Sequence, residues 1–144
     1  MNNLTFLGLI ISLIMFSCAE EVKSPIEGTW QLVNGEWGSI EETFPDQITG
    51  SDIKVWTEDC FAFVGKFQRD TVMIDNFGWG KYRFIEGIKY EENIMMHKYT
   101  PDLEGQTLKM LTEIRNDTLI QKWPVDDNWN LAKNHSTEKY VRVK

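Results

Sequence analysis

Apolar and polar residues alternate in short runs along most of this chain, which is the period of a β-strand with one buried face. In 29–33, for example, Trp30 and Leu32 share one face of a predicted strand. Turn-forming pairs such as Asn116-Asp117 separate the runs. Many short strands at this spacing are typical of a sandwich or an up-and-down barrel, so the fold is predicted to be all-β. The predicted strands are 29–33, 53–56, 60–67, 71–75, 79–85, 89–99, 107–115, 118–123 and 139–143.

The hairpin around residues 116–117 has a register that the sequence can predict. A two-residue loop there would place Ile114 opposite Leu119 and Thr112 opposite Gln121. The apolar positions of the two strands coincide in this register, and a slip of one residue would separate them. Thr112 and Gln121 are therefore expected on an otherwise apolar, inward face.

The hairpin before it has a three-residue loop at 86–88 as its predicted turn, which places Phe84 opposite Tyr90 and Tyr82 opposite Glu92. An unpaired carboxylate on this more apolar face would be costly, which makes Glu92 a residue of interest. Continued alternation predicts two faces further along the strand, with Ile94 and Met96 inward and Met95 and His97 outward.

The N-terminal segment Leu4–Ser17 is almost entirely apolar and is too short to cross a hydrocarbon core as a helix. It matches the apolar core of a secretory signal peptide. Ser17 before Cys18 resembles the lipobox of bacterial lipoproteins, in which acyl chains such as palmitate are attached to the cysteine. A plain signal peptide cut elsewhere and an uncleaved anchor are the alternatives. The predicted organisation is a signal peptide at 1–17, a lipid-anchored tether at 18–27 and one folded domain at 28–144.

Lipidation of Cys18 predicts a location in the cell envelope, anchored to the outer membrane. Glu20 and Glu21 resemble the export tag of surface-exposed lipoproteins, so both a periplasmic and a surface-exposed position stay open. The formal net charge of -7 and the lack of a Lys/Arg cluster argue against nucleic acid as a partner. An acylated Cys18 would leave Cys60 without an intramolecular disulfide partner.

Motifs for enzyme chemistry are missing from the sequence. His97 and His135 are its two histidines, and their spacing matches no metal site, so no metal and no cofactor are predicted. The protein is not expected to be an enzyme, and no catalytic residue is assigned. The remaining enzymatic alternative is a barrel in which Glu92 acts as a general base.

Gly28-Thr29-Trp30 on the first strand and Arg142 on the last resemble the signature of lipocalins and related calycin barrels. Segments 54–57, 61–65, 90–92 and 113–119 are similar to a family of lipocalin-like bacterial lipoproteins of unknown function from Gram-negative gut bacteria. The resemblance implies an up-and-down antiparallel barrel of about 8–10 strands over 28–144. It also implies a barrel floor built from Gly28, Trp30 and Arg142. It brings no established activity.

The inward face of such a barrel predicts binding of a small, amphipathic ligand, because its polar groups exceed what a plain core requires. Glu92 could instead belong to a network with Arg142 or a tyrosine that only satisfies itself. The predicted ligand-binding residues are Tyr82, Tyr90, Glu92, Thr112, Gln121, Tyr140 and Arg142.

The competing hypothesis is a protein-interaction module or inhibitor that has a filled barrel. It would act through exterior loops at 38–52 and 124–137, with Trp37, Phe44 and Trp129 as possible anchors.

Overall fold

The computed structural model describes residues 24–37, 40–43, 52–69 and 71–144. The predicted signal peptide, Cys18, most of the tether and Phe44 lie outside these residues. The strands are β1 (Gly28–Trp37), β2 (Ile40–Thr43), β3 (Ile53–Trp56), β4 (Cys60–Arg69), β5 (Val72–Glu86), β6 (Lys89–His97), β7 (Thr107–Arg115), β8 (Thr118–Val125) and β9 (Leu131–Arg142). A short 3-10 turn, Pro101–Leu103, joins β6 to β7.

The strands form one antiparallel sheet that closes on itself. From β3 to β9 each strand pairs with the next, β1 pairs with β3, and β9 returns to pair with β1. Strand β2 adds to the end of β1 and is not needed for closure. The predicted all-β, up-and-down antiparallel barrel is therefore confirmed, with eight strands in the closed ring. We call the end where β1 begins and β9 ends the floor, and the opposite end the mouth.

The register predicted for residues 116–117 is confirmed. Ile114 pairs with Leu119 and Thr112 with Gln121. Asn116 has a φ of 54°, a left-handed conformation that asparagine tolerates better than most residues and that tight hairpin loops require.

The register predicted around residues 86–88 is also confirmed, although its loop is different. Phe84 pairs with Tyr90 and Tyr82 with Glu92, but Glu86 also pairs with Lys89. The turn therefore holds only two residues, and a bulge after Phe84 absorbs the extra one.

The predicted faces of Ile94 and Met95 are confirmed, since Ile94 is buried and Met95 is exposed, but those of Met96 and His97 are wrong. A bulge shifts the ladder so that Gly80 pairs with Ile94 and Trp79 with Met96. His97 then pairs with the buried Gly78, and its ring lies 5.1 Å from that of Phe63. His97 therefore faces inward, because simple alternation fails across a bulge.

Two predicted boundaries are also corrected. Residues 71–75 and 79–85 belong to one strand, β5, because Gly78 and Gly80 leave room for the rings of Phe63 and Phe61 rather than ending the strand. The predicted loop at 124–137 is largely wrong, since β9 begins at Leu131 and pairs with β8 and β1.

Candidate ligand site in the barrel interior

The floor is closed by Trp30, which is fully buried. Its indole Nε1 donates to the Ile26 carbonyl at 2.7 Å, and the Arg142 guanidinium lies 4.1 Å from its ring centroid. Arg142 also donates to the carbonyls of Glu27 and Pro25, at 2.7 Å each. This is the arrangement that the Gly-x-Trp signature implies.

Gly28 makes this closure possible. Its φ is 125°, and a Cβ there would lie 2.7 Å from Arg142 Nη1. Both the backbone conformation and the close approach of the guanidinium therefore favour glycine. Arg142 is thus held at the floor by Trp30 and backbone carbonyls. Tyr82 also lies near this end, where its hydroxyl donates to the Thr57 carbonyl at 2.6 Å, and the remaining predicted ligand-binding residues lie further inside.

Above the floor, a buried network connects β3, β6, β7 and β8. Lys54 Nζ lies 2.6 Å from Glu92 Oε1, and their side chains are only 8% and 3% exposed. The Tyr90 hydroxyl donates to the same Glu92 oxygen at 2.8 Å, and Trp56 Nε1 donates to the Tyr90 oxygen at 2.8 Å. We call Lys54, Trp56, Tyr90, Glu92, Thr112 and Gln121 the buried network.

The remaining members of the buried network satisfy one another as well. Lys54 Nζ donates to Gln121 Oε1 at 3.5 Å, and Gln121 Nε2 donates to Thr112 Oγ1 at 3.2 Å. Burial and the Glu92 charge raise the pKa of Tyr90 well above its ordinary value, which keeps its hydroxyl protonated. Of the two predicted partners of Glu92, a tyrosine is confirmed as Tyr90, whereas Arg142 is wrong. Lys54 is the charged partner instead, and the sequence did not predict it. Lys54 is two residues before Trp56 on β3, and this spacing was the feature of the sequence that could have placed it on the inward face.

Polar side chains near the mouth also face inward, but they are only half-buried. The floor also has half-buried side chains, but these include the apolar Phe84 and Ile114. The two ends of the barrel therefore differ in the polarity of their half-buried side chains. The mouth cluster consists of Trp37, Asp52, Asn76, His97 and Glu138.

Glu138 is held in the mouth cluster by neutral donors. Its Oε1 accepts from Trp37 Nε1 at 3.2 Å, and its Oε2 accepts from the Tyr140 hydroxyl at 2.5 Å. Burial raises the pKa of Glu138, and the positive charge of Lys54 partly opposes this. Trp37 therefore contacts an interior carboxylate, and its ring packs over Gly35.

Asp52 lies at the start of β3, where Asn76 Nδ2 donates to its Oδ2 at 2.6 Å. Burial raises the pKa of Asp52 to about 6. The oxygen of this amide, Asn76 Oδ1, is buried and has no hydrogen-bond partner among the residues that the structure describes. Nearby, His97 Nδ1 accepts from the Thr100 amide at 3.0 Å, and burial lowers its pKa.

The structure thus places Tyr82, Tyr90, Glu92, Thr112, Gln121 and Tyr140 inside the barrel, as predicted. Whether any of them binds a ligand stays a prediction. Of the predicted loop anchors, Trp129 is half-buried beside the ammonium groups of Lys89 and Lys109, at 6.0 and 5.8 Å from its ring centroid. Within the described ranges, no three His, Cys, Asp or Glu side chains are placed to hold a metal ion.

Comparison of the chain with models of protein families finds no match, and comparison with curated proteins finds none either. Membership of the lipocalin-like family therefore stays a prediction. Among the residues that the structure describes, no helix is long and apolar enough to span a bilayer.

Proposed function

We propose that this protein is an extracytoplasmic, lipid-anchored binding protein that takes a small, amphipathic ligand into the mouth of its barrel. One observation carries the proposal: the mouth cluster faces the interior and yet stays half-buried. Inward-facing groups that retain solvent contact line a recess, and recesses with a few convergent polar groups are the usual form of small-molecule sites. The ends of the ligand would meet the polar cluster and the aromatic rings beside it.

The buried network supports this assignment by its completeness. Glu92 Oε1 already accepts from Lys54 and Tyr90, and both charges are almost fully buried. Such a network connects β3, β6, β7 and β8 beneath the recess. Because its polar groups are bonded to one another, they do not need a ligand as a partner. We therefore place the ligand at the mouth and assign Glu92 a structural role.

The direction of the chain at the floor supports the proposed anchoring. Ser24 and Pro25 lie beside the floor, where the Ser24 amide donates to Glu27 Oε1 and the Pro25 carbonyl accepts from Arg142. A chain extends at most about 3.5 Å per residue, so a lipid on Cys18 would keep the floor within about 20 Å of the bilayer surface. The mouth, at the opposite end, would then open away from the membrane.

Native mass spectrometry of the full chain purified from its own host tests the proposal. We expect a co-purifying small molecule, and we expect Trp37→Ala to lose it. The matched control is Trp79→Ala, since Trp79 is 42% exposed on the outer face and should leave the ligand bound. A ligand retained by Trp37→Ala, or no ligand in any preparation, would contradict the proposed site.

Membrane attachment needs its own variant. We expect Cys18→Ser to abolish fractionation of the protein with membranes. Cys60→Ser is the control, because Cys60 lies on β4 and plays no part in the proposed anchor. Normal precursor cleavage and full membrane fractionation of Cys18→Ser would show that the lipid anchor has been assigned wrongly.

A further inference from the structure

The charges inside the barrel do not balance, and the imbalance lies at the mouth. Lys54 is the one lysine or arginine among the described inward-facing residues above the floor, and its ammonium is bound to Glu92 at 2.6 Å. Two further carboxylates, Asp52 and Glu138, receive hydrogen bonds from neutral groups instead. The charge of Lys54 acts on both from a distance. Among the described residues above the floor, one cation, Lys54, therefore has to balance the interior carboxylates of Glu92, Asp52 and Glu138.

The hydrogen-bonding groups of the mouth are unbalanced in the same sense. Asn76 donates its amide N–H to Asp52, and no donor from the described part of the chain reaches its buried Oδ1. A buried acceptor without a partner costs about 1–3 kcal/mol, so this oxygen is an independent sign of a missing donor. Carboxylate and amide oxygens in surplus call for a ligand that brings N–H groups and positive charge.

The kind of cation follows from the spacing and the neighbours of these acids. In the described part of the chain, the acidic and histidine side chains do not converge closely enough to hold a metal ion. Trp37, Phe63 and Trp123 are partly buried and pack against the core, and Trp37 contacts Glu138 directly. Aromatic faces attract organic cations, and Lys54 Nζ already lies 4.8 and 4.6 Å from the ring centroids of Trp56 and Phe61.

We infer that the ligand is an organic cation with a primary ammonium group, held at the mouth by Glu138 and Asp52 while its apolar part contacts the aromatic rings. This inference rests on the proposed function, because it names the chemical class of the ligand of that site. An ammonium supplies three N–H donors, which the surplus acceptors require.

Three probes of equal chain length test the charge preference: hexylamine, hexanol and hexanoate. Each is titrated calorimetrically into the full chain in mild detergent, with a titration into detergent alone subtracted. We expect hexylamine to bind at least tenfold more tightly than hexanol, about 1.4 kcal/mol, and hexanoate to bind most weakly. Equal or tighter binding of hexanol or hexanoate would overturn the cation inference and leave the binding function in place. No binding of any probe would count against both.

A carboxylate variant locates the preference within the fold. We expect Glu138→Gln to lose at least tenfold in hexylamine affinity with little change for hexanol. The matched control is Glu113→Gln, since Glu113 is 43% exposed and bonded to Arg115 on the surface. An equal loss in both variants would assign the preference to the net charge of the protein and overturn the inference. If Glu138→Gln does not fold by circular dichroism, Asp52→Asn is used and the same loss is expected.

Discussion

The buried network and the mouth cluster are both polar and both inward-facing, and on β6 their members Glu92 and His97 are only a few residues apart. In the buried network, Lys54 and Glu92 are almost fully excluded from water and bonded to each other. In the mouth cluster, Asp52 and Glu138 keep some exposure and have neutral partners, and Asn76 Oδ1 has no partner within the described ranges. Polar groups inside one barrel can therefore be fully paired in one layer and incompletely paired in the next. Incomplete pairing and access to solvent are what distinguish the mouth.

The largest expected effect comes from the floor, on which the closed end of the barrel depends. Trp30→Ala removes a fully buried indole, its bond to Ile26 and the surface on which Arg142 lies, so it should cost about 3–5 kcal/mol. That loss approaches the whole stability of many domains. Chemical denaturation measures it, and Trp79→Ala, on the exposed outer face, should cost under about 1 kcal/mol. Similar midpoints for the two variants would mean that the floor is not a core.

Replacing one member of the buried Lys54–Glu92 pair should lower the free energy of unfolding, and replacing both should restore most of it. Lys54→Met leaves the Glu92 charge buried without its partner and should cost about 3 kcal/mol or more. In the double variant Lys54→Met/Glu92→Leu both charges are gone, and most of that loss should return. A double-mutant cycle by urea denaturation measures the coupling. Additive losses would show that the two side chains act independently, contrary to their 2.6 Å contact.

The mouth should show the opposite response to pH from that of an ordinary salt-bridged acid. Because burial raises the folded-state pKa of Asp52 to about 6, above its ordinary value of 3.8, the native state binds this proton more tightly than the unfolded state does. Stability from this group is therefore present below about pH 4 and is lost as pH rises through 6. From pH 5 to pH 7.5 this loss amounts to about 1.4 kcal/mol, so Asp52→Asn should gain about that much stability relative to the native chain over the same range.

Melting curves at the two pH values, compared between the variant and the native chain, measure this effect. The raised pKa of Glu138 acts in the same direction, so some pH dependence should persist in Asp52→Asn. The lowered pKa of His97 acts in the opposite direction, but it is present in both proteins. An unchanged difference between the two pH values would indicate that the Asp52 carboxyl is not desolvated.

The sequence could predict the buried network better than the mouth because regular alternation extends through one and not the other. Thr112 and Gln121 share a face with Ile114 and Leu119, and that match of apolar positions fixed their register. Glu138 follows a stretch of β9 that is mostly polar, from Lys133 to Thr137, which hides its period.

The other failures have equally local causes. The bulge in β6 that turns His97 inward depends on contacts between strands, which periodicity along one strand does not contain. Lys54 and Trp56 are two residues apart on β3 and therefore lie on the same face. A lysine on an inward face is unusual unless it is paired, and its partner Glu92 comes from a strand distant in sequence. Pairing across the barrel was therefore the missing information in each case.

The smallest expected effect is that of Glu138→Gln, and it is measured against Glu92→Gln, a change at another inward carboxylate. Glu92→Gln replaces a buried charge that Lys54 contacts and should cost about 1–3 kcal/mol, because the lysine is left uncompensated. Glu138→Gln replaces a half-buried carboxyl whose partners are neutral and whose pKa is raised by burial, so its stability at pH 7.5 should change by less than about 1 kcal/mol. The amide can still accept from Trp37 or Tyr140.

Glu91, on the outer face of β6, is a control that distinguishes the effect of burial from the effect of losing an ion pair. Glu91 is next to Glu92 on β6 and is bonded to Arg83 at 2.7 Å, but that arginine is 72% exposed. Exposed pairs contribute about 0–1 kcal/mol, so Glu91→Gln should also have little effect in urea denaturation. If Glu138→Gln costs as much as Glu92→Gln while Glu91→Gln costs little, the mouth carboxylate is structural. The ligand site would then have to be sought elsewhere.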